Sequence, residues 1–493
     1  MRRSLFSRTS LFSRTSLFSR TSRVVSTSIF VRTSIFGRAS IFGRASVFVR
    51  ASGLLCILGS VTLGIAETGS STVTFYRDVL PVLQKNCQTC HRPGEIAPAS
   101  FLTYESTRPW AKSIKTAVLT KQMPPWYADA HYGQFANDRS LAESDIHTLV
   151  SWVDAGAPAG DPKDAPKPLD WVEGWRIGKP DVVISMPIEY RVPASGTIDY
   201  QYIVIPTGFK EDKYVQMAEA RPGNTKLVHH IIAFVREPGN PWLKDAKPGV
   251  AYVPKEPELS PEDQKKQEEE EAKLPGIPFP GDFLVGYAPG TVPQVMKPGQ
   301  AKLIKAGSDI VLQMHYTANG TAGADISRLG LVFSKTTPRK RVLTINSANV
   351  TFSIPAGAPD TEVDSKVTLQ QDAILESFLP HMHFRGKSFE YRATYPDGRK
   401  EVLLRVPHYD FNWQLSYDLA KEKKLPKGTV IECEAHYDNS PNNKFNPDPS
   451  KEVHYGEQTW EEMMIGFFDV AVPMKATADD LMFPKPQREQ AQN

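Results

Sequence analysis

Residues 379–387 read Leu-Pro-His-Met-His-Phe-Arg-Gly-Lys, with His381 and His383 two positions apart. In an extended strand, side chains at i and i+2 share a face, so this spacing brings both imidazoles within reach of one ion. Neutral imidazole suits copper, zinc, iron or nickel alike, and the pair names no metal by itself. Taken alone, so short a motif fits two surface histidines on one strand more readily than a site.

The surrounding chain changes that balance. Val228-His229-His230-Ile231 opens the apolar run IIAFV, and His315 lies in IVLQMHY; both read as strands from their β-branched, alternating character. Further on, Glu462-Met463-Met464 precedes Ile465-Gly466-Phe467-Phe468. A thioether binds most metals weakly but suits soft Cu(I), so two histidines with one methionine form a credible copper set. Three histidines form another.

This ordered series resembles the copper type II, ascorbate-dependent monooxygenases, the family of peptidylglycine α-hydroxylating monooxygenase and dopamine β-monooxygenase. The resemblance covers residues 178–475 and rests on six positions in family order. It implies an electron-storing copper on His229, His230 and His315. It implies an oxygen-binding copper on His381, His383 and Met463, with Met464 as the neighbouring alternative. It also implies two antiparallel, jelly-roll-like β-sandwiches, one copper on each, facing a solvent-filled cleft.

What the family does to C–H bonds takes two electrons and O₂, one oxygen atom going to product and one to water. His381, His383 and Met463 are the catalytic residues this implies. The substrate does not carry over. Peptidylglycine enzymes have an arginine two residues before the H-x-H, where this chain has Leu379. Their asparagine and tyrosine after the methionine ligand correspond to Ile465 and Phe467. Without those polar groups a peptide carboxylate has no partner, and a small, non-anionic substrate is expected.

The N-terminal part has a different character. Residues 1–50 repeat with a period of six, and the first 66 residues hold ten arginines and no acid. Six residues on a helix advance about 600°, so the arginines form no stripe. Residues 53–66, GLLCILGSVTLGIA, form an apolar core ending in small residues, as in a secretory signal peptide with a long basic region. A mitochondrial transit peptide is the other reading. The apolar core is short for a membrane span of about 20 residues, so export to a periplasm or the outside, without an anchor after processing, is expected. The chain of 493 residues carries +3 overall and its first 66 residues +10, leaving −7 for the rest. That balance gives no reason to expect nucleic acid as a partner.

Cysteines are sparse: Cys56 falls in the leader and Cys433 reads as a buried thiol. Cys87-Gln88-Thr89-Cys90-His91 matches the attachment signature of a c-type haem, two thioethers with His91 as proximal ligand. A chance match or a redox dithiol is the bland alternative. Helical patterns flank the motif at residues 76–83 and 145–156 and resemble the first and last helices of small cytochromes c. Met123 is the distal ligand expected, ahead of His131 and His147.

The expected organisation is a leader over 1–66 and an all-α cytochrome c-like domain over 72–160. A linker follows at 161–177, then copper domains at 178–342 and 343–478. The charged stretch 256–274 reads as a solvated loop or surface helix. His408, His436 and His454 are expected to be solvated or structural. The implied complement is two copper ions and one covalent haem, a small-molecule substrate, O₂ and an external electron donor.

Overall fold

The computed structural model describes residues 72–95, 97–171, 174–255, 259–288 and 291–484; the leader lies outside them. From Val73 onward the described chain belongs to one compact unit.

It begins with a small helical part. A turn at Phe75–Val79 runs into the helix Leu80–Asn86, followed by Tyr104–Thr107, Ala111–Leu119 and Glu143–Asp154. Apolar positions spaced three or four apart put Val79, Leu83, Leu149 and Trp152 on facing helix sides, where they bury one another with Phe75. Trp152 satisfies its indole by donating from Nε1 to the Pro158 carbonyl at 3.0 Å. Gly156 ends the last helix at φ +84°, a conformation that costs glycine little. Both helices expected around the C-x-x-C-H motif are present. The part is not purely helical, however, as residues 126–137 form an irregular segment that leaves the helical core.

The remainder is mostly β-structure in two sandwiches. One long sheet runs in the order Val182–Ser185, Arg328–Phe333, Lys213–Arg221, Gln300–Ile304, Lys340–Asn349, Met464–Pro473, Ala373–His381, Tyr417–Leu425. Its first half faces a four-stranded sheet of Gln201–Pro206, Asp309–Tyr316, Val228–Arg236 and Asp282–Tyr287. Ile184, Val215, Ile231, Leu312 and Leu331 fill the space between. Its second half faces Thr361–Thr368, Val430–Tyr437, Gly386–Thr394 and Lys400–Val406 across a core that includes Phe378, Phe389, Tyr391 and Phe468. Antiparallel pairs dominate, and the halves join through one short parallel contact, Lys340↔Gln300 and Arg341↔Ala301. The sheet therefore continues across the boundary expected at 342/343. In Val430–Tyr437 burial alternates strictly and Cys433 points inward as a free thiol. The stretch 261–271 is a surface helix with no buried residue.

An edge strand exposes unpaired backbone groups and is usually covered. Here Tyr417–Leu425 ends the long sheet, and the irregular segment from the helical part covers it. Ala136 N–H donates to the Asp418 carbonyl at 2.7 Å and Ala420 N–H to that of Gln134 at 2.8 Å. Asn137 completes the clasp, donating to the Ser416 carbonyl and accepting from Asp418 N–H, both at 2.9 Å.

Gly466 marks a close approach between the two sheets of the second sandwich. A Cβ there would collide with Cys433 Sγ and stand 3.0 Å from the Tyr391 ring. Overpacking a filled core of this kind costs about 1–3 kcal/mol, so Gly466→Ala should lower the denaturation midpoint accordingly. An unchanged midpoint would mean that the sheets can separate at no cost. Among the described residues no helix is long and apolar enough to cross a membrane.

Candidate metal centre

His229 and His230 are neighbours, and in a regular strand neighbours point to opposite faces. The pairing of Val228–Arg236 with Asp309–Tyr316 shifts register between Val228 and His230, where a bulge sets His230 opposite His315. A bulge re-aims a side chain, and here it lets both histidines converge on His315. Ring centroids lie 5.3 Å apart for His229 and His230, 5.2 Å for His229 and His315, and 4.7 Å for His230 and His315. One nitrogen from each lies within 4.8 Å of the others. Tyr200 packs over His230 and His315 at 5.6 and 4.9 Å. Burial holds all three imidazoles below their ordinary pKa, His315 at about 3. They are therefore neutral, and His229 Nδ1 and His230 Nδ1 lie 3.2 Å apart, close enough to share a proton or to face one ion. His315 Nδ1 is buried and has no hydrogen-bond partner, as a nitrogen waiting for an ion would be.

The strand Ala373–His381 ends at His381, which pairs with Ile465, so His383 lies just beyond the strand instead of within it. The two rings still meet, edge to face, at 5.3 Å. Glu462 explains how. Its carboxylate accepts the backbone N–H of His383 at 2.8 Å and of Arg385 at 2.6 Å, holding the turn in place. That carboxyl is fully buried, and burial pushes its pKa up to about 8. His381 Nδ1–H donates to Gln414 Oε1 at 2.7 Å, and His383 Nδ1–H to the Glu461 carbonyl at 3.2 Å. Burial keeps both rings neutral, with His381 at about 4. With Nδ1 protonated, each presents Nε2 as the free donor, the arrangement that orients metal-binding histidines.

Met463 and Met464 face opposite ways. Met463 lines a cavity of about 380 Å³ shared with His230 and His381. Met464 packs into the core between the sheets. Leu379, Ile465 and Phe467 line the same cavity, together with Phe279 and Phe283, so its walls near the histidines are apolar. A polar end lies further along. Asp469 there accepts from Gln294 at 2.8 Å and Ser377 at 3.0 Å, and Glu376 accepts from Gln300 at 2.6 Å. Asp418, at the same end, has its carboxyl raised to about 6 by burial and by the neighbouring charge of Asp469.

The two histidine groups come from different sandwiches yet share a neighbour. Phe411 stacks on His229 at 5.3 Å and meets His383 edge-on at 6.1 Å. At that point an aromatic ring stands between them, where the resemblance implies an open cleft. Phe411 and Gln414 were not singled out from the sequence. They lie in PHYDFNWQLS, an irregular loop whose spacing carries no signal.

In the helical part, Cys87 and His91 are joined by a backbone hydrogen bond of 2.9 Å, and Cys90 lies in the same turn. Both cysteines are free thiols, with Cys87 pushed up to about 12 by burial. His91 Nδ1–H donates to the Ala99 carbonyl at 3.1 Å, which leaves Nε2 as the open donor that an axial haem ligand needs. Met123 is half-buried in the turn after Ala111–Leu119. His131 and His147 are exposed, and His131 is held by Asp129 at 2.7 Å. His436 pairs with Asp360 at 3.1 Å, while His408 and His454 are exposed.

No family model matches the chain, and no curated protein does. Among solved structures it is similar to the infectious bursal disease virus Gx strain, at 12 % identity over 62 % of this chain and 74 % of that one, with a TM-score of 0.16. Another is a two-domain protein of unknown function from Bacteroides fragilis, at 9 % identity over 54 % of this chain and 94 % of that one, with a TM-score of 0.13. At these scores neither likeness carries an argument.

Proposed function

We propose that the chain is an exported dicopper monooxygenase that hydroxylates a C–H bond of a small, largely apolar, non-anionic substrate with O₂, using electrons relayed by a covalent c-type haem. The observation that carries this reading is one cavity, apolar near the histidines, lined at once by Met463 and by His230 and His381, which belong to two separate groups of neutral histidines. His229, His230 and His315 would hold one copper, and His381, His383 and Met463 the other. Copper so bound supplies one-electron redox chemistry and a position for O₂.

The chain's own residues do the rest. Gln414 and the Glu461 carbonyl hold the His381 and His383 rings in one tautomer, and Glu462 anchors the turn between them. Phe279, Phe283 and Phe467 exclude water and take up an apolar substrate beside the histidines. Asp469 at the far end disfavours an anion there, while the charge of Glu376 is paired with Lys297. Cys87, Cys90 and His91 would hold the haem, with Met123 as the sixth ligand. Covalent haem attachment belongs to the oxidising side of a membrane, in accord with the leader.

Copper and haem analysis of the exported protein tests this, followed by O₂ consumption and labelled-oxygen incorporation with a panel of small apolar compounds. Two coppers, one haem and a labelled hydroxylated product are expected. Cys90→Ser should strip most haem from denaturing gels. Fewer than two coppers per chain overturns the dicopper reading. Full copper without any O₂-dependent product makes the protein an electron carrier instead.

A further inference from the structure

The helical part touches the two sandwiches in different ways, and the difference bears on where electrons enter. Its contact with the first sandwich is ionic. Glu95, four residues after His91, pairs with Arg176, whose N–H bonds Glu219 Oε2 at 2.7 Å. Glu219 belongs to Lys213–Arg221, in the long sheet, whereas His229, His230 and His315 stand on the opposite four-stranded sheet. The same pair also acts on Tyr287, which pairs with Ile231 beside His230, so this contact reaches the histidine-bearing sheet as well, but by charge and not through stacked rings.

The contact with the second sandwich is aromatic and runs towards the H-x-H. Three residues after Met123, the Trp126 ring packs on Tyr417 at 4.9 Å, and Phe135 closes the group at 5.9 Å from Trp126 and 5.7 Å from Tyr417. Tyr417 is buried, and its hydroxyl interacts with the Tyr127 backbone. From Tyr417 two short routes reach His381. Along the chain, Gln414 is three residues back, and its side chain accepts from His381 Nδ1 at 2.7 Å. Across the sheet, Tyr417 pairs with Phe378, three residues before His381. The backbone clasp of Gln134, Ala136 and Asn137 on Tyr417–Leu425 holds these groups in fixed contact.

We infer that Trp126, Tyr417 and Gln414 form the electron entry port, delivering electrons from the haem directly to the metal at His381 and His383 and not to the three-histidine site. The inference rests on the haem and copper assignments proposed above. In each transfer one electron leaves ferrous haem, which becomes ferric, and one cupric ion becomes cuprous. No bond forms or breaks, and an external one-electron donor reloads the haem. Trp126 and Tyr417 are positioning residues outside the cavity, whereas Gln414 both orients His381 and lines the cavity.

The test is flash photolysis of the anaerobic, oxidised holoprotein. Photoexcited ruthenium tris-bipyridine reduces the haem, a sacrificial aniline donor returns the resulting Ru(III) to Ru(II), and reoxidation of the haem is then followed optically as its electron passes to copper. Wild-type haem and copper contents are measured first, and a shortfall in either defeats the functional reading, not this one. In His230→Ala, with copper left at the second site, the fast reoxidation should persist. In His381→Ala, with copper left at the first site, it should disappear. Trp126→Leu should slow it at least tenfold, about 1.4 kcal/mol of barrier, with haem spectrum and copper content unchanged, while Trp126→Phe restores it. Fast reoxidation in His381→Ala, or an unaltered rate in Trp126→Leu, overturns the port. Should Trp126→Leu fail to fold, the two histidine variants decide alone.

Discussion

His230→Ala should bring copper down from two to about one per chain while leaving the haem spectrum intact, and should abolish hydroxylation. The expectation follows from the position of His230, at the bulge, opposite His315 and under the Tyr200 ring. With it gone, His229 and His315 remain as an incomplete pair. Removing a residue that only orients a metal ligand costs about 10- to 100-fold in affinity, and removing a ligand should cost more. The metal-free variant supplies the control. A truncated buried side chain leaves a cavity that costs a few kcal/mol, so a cooperative melt of the copper-free variant, lowered by no more than several degrees from copper-free wild type, shows that the loss of metal is not a loss of fold. Two coppers still bound to a folded His230→Ala would remove His229, His230 and His315 from the metal centre.

Met463→His should separate binding from chemistry. The new imidazole is a harder donor than the thioether, so copper can stay bound while the cuprous state is disfavoured. Copper and haem contents near wild type are expected, with O₂-dependent hydroxylation reduced by at least about a hundredfold, close to 2.7 kcal/mol of barrier. Met464→His should behave in another way. Met464 is fully buried between the sheets, so an imidazole there has to be desolvated, at a cost of about 1–3 kcal/mol. That variant should lose stability first and activity only with it. Full activity in Met463→His together with an inactive, stable Met464→His would move the ligand by one residue. Full activity in both would remove methionine from the chemistry.

The contrast between these methionines shows how far sequence reading reaches. Glu462-Met463-Met464 is visible as a motif, and a two-residue period says that adjacent side chains diverge. It does not say which one faces the cavity. That was decided by the pairing of Met464–Pro473 with Lys340–Asn349 on one side and Ala373–His381 on the other, which turns Met464 into the core. Nor does the sequence show why His229 and His230 act together, because two adjacent residues on a regular strand cannot. The bulge that allows it depends on Asp309–Tyr316, about eighty positions away.

By itself the sequence determined what depends on neighbours a few residues apart. The helices on either side of Cys87-Gln88-Thr89-Cys90-His91 follow from apolar spacing, and the inward-pointing Cys433 follows from strict alternation. The exposure of the charged stretch 256–274 follows too, since it has nothing apolar to bury, though its being a helix and not a loop was left to the structure. Only the tertiary structure decided the rest: the sheet continued through Lys340 and Arg341, the clasp of residues 134–137 on an open edge, and the convergence of Phe411, Gln414 and Glu462 on histidines from two sandwiches. Each of these satisfies a backbone edge, a buried polar group or an exposed ring by means of residues remote in the chain. Local periodicity records which side chains avoid water, but not which distant group meets them when they do.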